Sequence, residues 1–221
     1  MLRPTLLLST FAIAPSIVLA QTPVDPVTSN VQRLRVGDSI DRSRAAQALG
    51  ALGAEAAPAV PALVQALGDR DAFVARAATD ALCRIGPTAV APLVQALDAA
   101  DPKLRQQAAV ALSRIGPTDP TSLKTLVRAL KDDPAPQVRR RAALALDKGV
   151  KADEGVVAAL IGALKDRDPT VRISAAVALG CFGADAKDAA GPLSGLLKDD
   201  DVKLRSAADE ALRKIVSPKR P

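Results

Sequence analysis

Histidine, tryptophan and tyrosine are absent from this chain of 221 residues, and phenylalanine occurs only at Phe11, Phe73 and Phe182. Without histidine the chain lacks the commonest general base and the commonest metal ligand, which excludes histidine-dependent triads and most transition-metal sites. The scarcity of aromatic rings argues against base stacking on nucleic acid and against aromatic cages. The sequence also contains no glycine-rich phosphate loop, nucleophile elbow or CxxC pair. We therefore predict no catalytic residues, no cofactor and no metal ligands.

The excess of basic residues is modest. There are 30 lysine and arginine residues against 24 aspartate and glutamate residues, which gives a net charge of +6. This excess is small for a nucleic-acid-binding protein, so nucleic acid is not the expected partner, although arginine contacts to phosphate remain an alternative.

Residues 1–20 have the order typical of a secretory signal peptide. Arg3 supplies a positive start, an apolar stretch follows, and a small-residue cleavage site ends at Ala20. The apolar stretch is shorter than the ~20 residues that a transmembrane helix needs. We expect cleavage between Ala20 and Gln21, a linker over residues 21–26, and an exported chain, periplasmic or secreted, with no membrane span.

One motif recurs six times along the rest of the chain. Its shared leucines are separated by 33, 30, 34, 33 and 33 residues. They are Leu49, Leu82, Leu112, Leu146, Leu179 and Leu212. A second leucine ladder precedes the first by 15 or 16 residues and consists of Leu34, Leu67, Leu97, Leu130, Leu164 and Leu197. Each unit therefore contains two elements.

Both elements have the periodicity of a helix. In the second element of the third unit, one helical face carries Leu104, Ala108, Ala111, Leu112 and Ile115. Aspartates stand where the second helices should begin, namely Asp38, Asp71, Asp101, Asp168 and Asp201. Glycines stand where these helices should end, namely Gly53, Gly86, Gly116 and Gly183.

Six helix pairs predict an all-α fold, a right-handed α-solenoid (αα superhelix) over residues 27–216. The units are 27–53, 54–86, 87–116, 117–150, 151–183 and 184–216. Residues 217–221 are expected to form a disordered tail. Ankyrin repeats need a histidine in their signature, and tetratricopeptide repeats carry aromatic positions that are absent here.

The consensus P-L-V-Q-A-L-x-D-x-D-x-x-V/L-R-x-x-A-A-x-A-L-x-x-I-G resembles the HEAT repeat, in the short form found in the phycobiliprotein lyase (PBS lyase) HEAT-like family. The resemblance covers residues 38–216 and is strongest over residues 87–116. It implies helix-turn-helix HEAT-like repeats, and it leaves a lyase-like binding or attachment of a chromophore or small ligand as an alternative function. Deoxyhypusine hydroxylase is also built of HEAT-like repeats, but its iron site uses His-Glu pairs, so that activity is not expected here.

The resemblance also implies a ladder of ion pairs between second-helix arginines and acidic turns of the same or a neighbouring unit. The arginines are Arg42, Arg105, Arg139, Arg172 and Arg205, and Ala75 interrupts the series. The turn carboxylates are Asp69, Asp98, Asp132, Asp166 and Asp199. The alternative is a row of arginines that binds phosphate or carboxylate groups of a ligand.

The two cysteines, Cys83 and Cys181, lie in the second and fifth units. Packed helices are ~8 to 10 Å apart, so the cysteines should be separated by far more than the ~7 Å between Cα atoms that a disulfide allows. We expect no bond between them, and a reactive or chromophore-bearing thiol is the alternative.

Two surfaces are predicted to bind a partner. The first is a row of variable positions that follow the ladder arginines, and repeat geometry places them on one continuous, usually concave surface. Its members are Ser43, Arg76, Gln106, Arg140, Ile173 and Ser206. The second is a basic patch in the fourth unit, formed by Lys124, Arg128, Lys131, Arg139, Arg140 and Arg141. A solvated helix face is the alternative interpretation of this patch.

Taken with the lack of catalytic groups, these patterns predict a non-catalytic exported scaffold. We expect it to mediate protein–protein interaction through the face lined by the second helices, with a partner that has an acidic surface or, for the basic patch, an acidic glycan. The chain is expected to be a monomer.

Overall fold

The structure, a computed structural model, describes residues 25–147 and 154–216. Within these two ranges the regular elements are all helical and no strand is present. The all-α solenoid predicted from the repeats is confirmed. The predicted signal peptide, most of the predicted linker and the predicted disordered tail lie outside the described residues.

The helices follow one another with short connections. The first six are α1 (Pro26–Val36), α2 (Ser39–Ala51), α3 (Val60–Ala66), α4 (Ala72–Ile85), α5 (Val90–Ala96) and α6 (Pro102–Ile115). The next six are α7 (Pro120–Asp132), α8 (Pro136–Leu146), α9 (Glu154–Ala163), α10 (Pro169–Phe182), α11 (Ala190–Gly195) and α12 (Val202–Val216). Short 3-10 segments are Gly53–Ala59, Pro87–Ala89, Gly183–Ala189 and Leu196–Lys198.

The helices form two layers. Each odd-numbered helix pairs with the even-numbered helix that follows it to form one repeat unit. Consecutive even-numbered helices pack on each other from α2 to α12, and consecutive odd-numbered helices do so from α1 to α9. We call the even-numbered helices the second-helix layer. The hydrophobic core lies between the two layers and is continuous along the solenoid.

Aspartate side chains begin the second helices, as predicted. Asp101 Oδ1 accepts a hydrogen bond from Lys103 N at 2.9 Å, which satisfies a backbone donor that the first helical turn leaves unpaired. The equivalent contacts are made by Asp38, Asp71, Asp168 and Asp201. The exception is α8, where Ala135 occupies the capping position and provides no side-chain acceptor.

Glycines end several second helices, also as predicted. Gly86 and Gly116 have φ angles of +82° and +90°. A side chain is disfavoured at such angles, so glycine allows the chain to leave the helix at these two positions.

Two ladders of leucine anchor the core. In the first five units the second-helix leucines are completely buried; they are Leu49, Leu82, Leu112, Leu146 and Leu179. The last unit differs, because Leu197 is 41% exposed and Leu212 is half-buried. No further unit follows α12 among the described residues, so these two leucines are covered on one side only. Leu197 is therefore not a core residue.

Small residues let neighbouring second helices approach closely. A Cβ atom added to Gly50 in α2 would lie 2.8 Å from the Cα of Ala81 in α4. A Cβ atom added to Gly180 in α10 would lie 2.9 Å from the Cα of Ala211 in α12. No real Cβ atom tolerates such distances, so glycine at these positions is required for the observed spacing between helices.

Arginine–aspartate pairs connect each of three units to the next. Arg42 donates to both carboxylate oxygens of Asp69 at 2.7 and 2.9 Å. Arg139 donates to both oxygens of Asp166 at 2.8 Å each. The hydrogen bonds from these arginines lower the pKa of Asp69 and of Asp166. The predicted ladder is confirmed for these two pairs.

Three predicted ladder partners are wrong, namely Asp132, Asp98 and Asp199. Arg105 donates to Asp133 at 2.9 Å, and the predicted partner, Asp132, is exposed to solvent. Asp98 begins the turn 98–101, which is one residue longer than the equivalent turn 166–168 of the fifth unit. It accepts instead from Arg128 at the surface, at 2.5 Å.

The remaining two ladder arginines bind backbone. Arg172 donates to the carbonyl of Asp166 at 3.1 Å, and Arg205 donates to the carbonyl of Asp199 at 2.6 Å. The Asp199 carboxylate accepts from the backbone nitrogen of Asp201 at 2.9 Å, and no arginine of the described residues pairs with it. The buried Nε of Arg172 has no acceptor within the described part of the chain.

The last unit carries an ion pair at two positions where the second unit has uncharged residues. In the second unit, Thr79 and Cys83 contact the next second helix, and Cys83 Sγ lies 3.9 Å from the carbonyl oxygen of Ala111. The equivalent residues of the last unit are Asp209 and Arg213, which form an ion pair at 2.5 Å. Covering this pair with a further unit would remove both charges from water at a high cost. The exposed face of α12 is therefore polar at these two positions.

We expect Leu112→Ala to lower the free energy of unfolding by about 2 to 5 kcal/mol, because it creates a cavity in the middle of the stack. Leu197→Ala is the matched control, and its effect should stay below about 1 kcal/mol, because 41% of this residue is already exposed and its truncation leaves no closed cavity. Urea denaturation followed by circular dichroism measures both values. Equal effects of the two substitutions would contradict the buried leucine ladder.

The Arg139–Asp166 pair should make stability depend on pH in the acidic range. Because the folded state holds the pKa of Asp166 below its ordinary value, the unfolded chain binds more protons on acidification. This contribution to stability is complete above pH ~4 and is lost as the pH falls further, through the lowered pKa.

Asp166→Asn should therefore destabilise the protein at neutral pH by about 3 kcal/mol, since it leaves the charge of buried Arg139 uncompensated. The variant should also lose less stability than the wild type between pH 5 and pH 3. Asp98→Asn, in an exposed pair, is the control and should change little at either pH. Denaturation curves at the two pH values check this, and parallel losses in all three proteins would refute it.

Candidate functional site

The predicted recognition row lies on the second-helix layer, with one member in each even-numbered helix. Arg76 and Ser206 are exposed, and the other four members are half-buried. These four are Ser43, Gln106, Arg140 and Ile173. All six reach the surface of the same layer. Their role in binding stays a prediction.

Arg139 does not belong to a binding surface, contrary to the prediction. It is 4% exposed. Its guanidinium is already used, because it binds Asp166 through two nitrogens and donates to the carbonyl of Asp133 at 2.9 Å. A partner could reach this group only by breaking the ladder.

The basic patch predicted in the fourth unit is divided between the two layers. Lys124, Arg128 and Lys131 are exposed on α7, which belongs to the odd-numbered layer. Arg140 and Arg141 are half-buried on α8 in the second-helix layer, and burial lowers the pKa of Arg141. The core separates the two groups, so the structure does not combine them into one contiguous patch.

A groove of about 440 Å³ lies between α2 and α4 on the second-helix layer. We call it the N-terminal groove. Its floor consists of Gly50, Ala77 and Ala81, which have short side chains or none. Its walls and ends are formed by Ser43, Gln47, Phe73, Arg76, Asp80 and Arg84. The close approach of Gly50 to Ala81 produces the floor, because no larger side chain fits between the two helices.

The N-terminal groove has unbalanced positive charge. Asp80 accepts a hydrogen bond from Arg114 of the next unit at 2.5 Å, which compensates its carboxylate and raises the pKa of Arg114. Arg76 and Arg84 are exposed. Within the described residues neither forms a hydrogen bond or an ion pair. Both guanidiniums are therefore available to an anionic group.

Phe73 provides an apolar surface at the end of the N-terminal groove. Its ring is 79% exposed, the largest exposed fraction among the large hydrophobic residues of the described ranges. It lies at the start of α4, one turn before Arg76. A solvent-exposed aromatic ring beside a surface groove is a typical anchor residue for a partner protein.

Ser43 and Arg76 of this groove were predicted from the sequence, whereas its other wall residues were not. The missed residues are Gln47, Phe73, Asp80 and Arg84. Gln47 and Asp80 lie four positions after Ser43 and Arg76, the spacing of one helical face, so this periodicity could have identified them. Nothing in the sequence alone shows that Phe73 is exposed.

Other candidate chemistry finds little support. Burial raises the pKa of the Cys83 thiol, which disfavours the reactive thiolate. Cys83 and Cys181 do not form a disulfide with each other. In residues 25–147 and 154–216 no group of three cysteine, aspartate or glutamate residues is arranged to hold a metal ion. Over the same ranges, no helix has the length and apolar character needed to cross a membrane.

Comparison with known proteins agrees with this architecture. The model for HEAT repeats matches residues 60–147 and 133–213, and the model for the PBS lyase HEAT-like repeat matches residues 41–69. In sequence, no curated protein matches the chain.

Several solved structures are similar. An engineered protein is 26% identical, with 87% of this chain and 97% of that chain covered and a TM-score of 0.57. The complex of CpcE and CpcF of phycocyanin lyase from Nostoc sp. is 26% identical, with 70% and 98% covered and a TM-score of 0.62. A designed armadillo repeat protein, at 20% identity with 85% and 98% covered and a TM-score of 0.54, shares the fold alone. With more than half of its residues matched by the HEAT-repeat model, this chain belongs to the HEAT-repeat family.

Proposed function

We propose that this chain is an exported, non-catalytic scaffold that binds a protein partner through its second-helix layer. The observation that carries the proposal is the contrast between the two sides of that layer. The side facing the core repeats the same leucines and alanines in each unit, whereas the side facing solvent varies from unit to unit. Constant anchors with variable surface positions are what a repeat scaffold uses to recognise a partner.

The chemistry of the variable side supports a protein partner. The positions four residues after the recognition row are Gln47, Asp80, Val110, Leu144, Val177 and Glu210. Val110 and Leu144 are half-buried, and Val177 is 39% exposed. Polar and charged residues thus flank an apolar middle. An apolar centre with a polar rim is typical of protein–protein interfaces.

Export and a monomeric state are parts of the same proposal. The order of residues 1–20 supports export, and the periplasm or the exterior is the expected location. The charged pair Asp209–Arg213 at the free face of α12 supports a monomer, because it opposes stacking of a second copy on that end.

Sedimentation equilibrium of the mature chain should give the mass of one chain, and a stable dimer would contradict this part of the proposal.

Binding or attachment of a chromophore is a second candidate. The PBS lyase HEAT-like match over residues 41–69 and the similarity to the phycocyanin lyase complex favour it. The raised pKa of Cys83 and the predicted export weigh against it, since the lyases act where the chromophore is made.

The proposal is tested by capture from an extract of the source cells with mature protein, residues 21–221. The second-helix variant combines Arg140→Glu with Val177→Glu. The control on the other layer combines Lys124→Glu with Thr121→Glu, which changes the net charge by the same amount at exposed positions of α7. We expect a defined protein to be captured by the wild type and the control and lost with the second-helix variant.

Equal circular dichroism spectra and melting midpoints establish that all three proteins are folded. Loss of the partner with the α7 control alone would contradict the proposed face. Capture of no specific protein would contradict the scaffold function and favour the second candidate, which an absorption titration with a bilin then examines.

A further inference from the structure

We infer that the N-terminal groove binds an extended acidic peptide segment of a partner protein, with an apolar residue of that segment placed against Phe73. This inference rests on the proposed function and specifies the chemistry of one part of its surface. It depends on three features of the groove: its floor, its two unpaired arginines and its exposed ring.

The shape of the groove suits a peptide backbone. Gly50, Ala77 and Ala81 leave the floor without bulky side chains, so a main chain can approach α2 and α4 closely. The Gln47 side chain, in the wall formed by α2, carries an amide donor and an amide acceptor, the groups that complement a peptide unit. An extended segment can use both.

The spacing of the arginines defines the pattern of the ligand. Arg76 and Arg84 are eight residues apart in α4, which corresponds to about 12 Å along the helix axis. In an extended peptide, residues i and i+4 are about 13 Å apart and point to the same side. Two acidic side chains separated by three residues would therefore reach both guanidiniums at once.

Charge complementarity selects an acidic segment over a basic one. The carboxylate inside the groove, Asp80, is compensated by Arg114, so Arg76 and Arg84 determine the sign of the local field. A basic peptide would meet two uncompensated guanidiniums, and like charges in contact oppose binding. Carboxylates gain charge-assisted hydrogen bonds with them.

Phe73 lies at one end of the groove and so determines the direction in which the peptide binds. The ring lies one helical turn before Arg76, about 4.5 Å along the axis, and it is 79% exposed. An apolar residue two positions before the first acidic residue of the ligand points to the same side of an extended peptide, about 7 Å away along the chain. It would cover the ring and remove apolar area from water. The recognised pattern is therefore an apolar residue, an acidic residue two positions later, and a second acidic residue four positions after the first.

The test uses the full mature chain and a fluorescein-labelled heptapeptide, Leu-Thr-Glu-Thr-Ser-Thr-Glu, in fluorescence anisotropy titrations. We expect saturable binding that weakens as salt increases. Arg76→Glu combined with Arg84→Glu should weaken binding about tenfold or more, and Phe73→Ala should weaken it severalfold. The matched control, Lys124→Glu with Lys131→Glu, makes the same charge change on α7 and should leave the affinity unchanged.

Peptide controls separate this pattern from general attraction of anions. Replacing both glutamates by glutamine should abolish binding, and a heparin oligosaccharide should bind without any dependence on Phe73.

Equal affinity of the charge-reversed groove variant and the wild type would overturn the inference, as would stronger binding of a lysine version of the peptide. If the peptide fails to bind while partner capture still depends on Arg140 and Val177, the inference is wrong and the scaffold function stands. If the peptide binds as expected but no partner is captured, the groove chemistry stands and the scaffold function does not.

Discussion

The rest of this structure depends on the close approach of neighbouring second helices. With almost no aromatic side chains to fill space, the chain packs by bringing helix backbones together over alanine and glycine. Gly50 against Ala81 and Gly180 against Ala211 are the closest of the described glycine contacts between these helices, and fully buried leucines fill the space between the layers. Dense packing compensates for the absence of large rings, because dispersion and burial scale with the contacts made. The same contact leaves a shallow floor at the surface, so the spacing that stabilises α2 and α4 also shapes the N-terminal groove.

Polar contacts connect neighbouring units at equivalent positions. The pairs Arg42–Asp69, Arg105–Asp133 and Arg139–Asp166 each connect one unit to the turn of the next. They are largely buried and lie at equivalent positions, so removing one partner of a pair would leave an uncompensated charge away from water. The interface between α4 and α6 has no such pair because Ala75 replaces the arginine. On the last described helix, Asp209 and Arg213 form an exposed ion pair.

In this solenoid, one set of residues determines stability and a different set is available for recognition. Residues that face the core or the next unit are constrained by packing, whereas those on the outer side of the second-helix layer can vary without disturbing the fold. Arg139 and Arg140 illustrate the division. Although they are adjacent in sequence, the first is held in the ladder by four hydrogen bonds, and the second reaches the surface of the layer. Substitution of Arg139 thus reports on stability, and substitution of Arg140 can report on binding.

The sequence by itself determined the features that depend on local periodicity and local hydrogen bonding. The repeat length follows from the spacing of the motif along the chain. The helices, the aspartate N-caps and the glycine ends follow from interactions within about four residues, and the structure has them as predicted. Only the tertiary structure decided which side chains meet between units. In the folded protein Arg105 pairs with Asp133 and not with Asp132, and Arg139 is buried. Leu197 and Phe73 are exposed, and the basic residues of the fourth unit are divided between two layers. These outcomes depend on how one unit is rotated and displaced against the next, and that placement results from packing contacts about 30 residues apart, which no local pattern encodes.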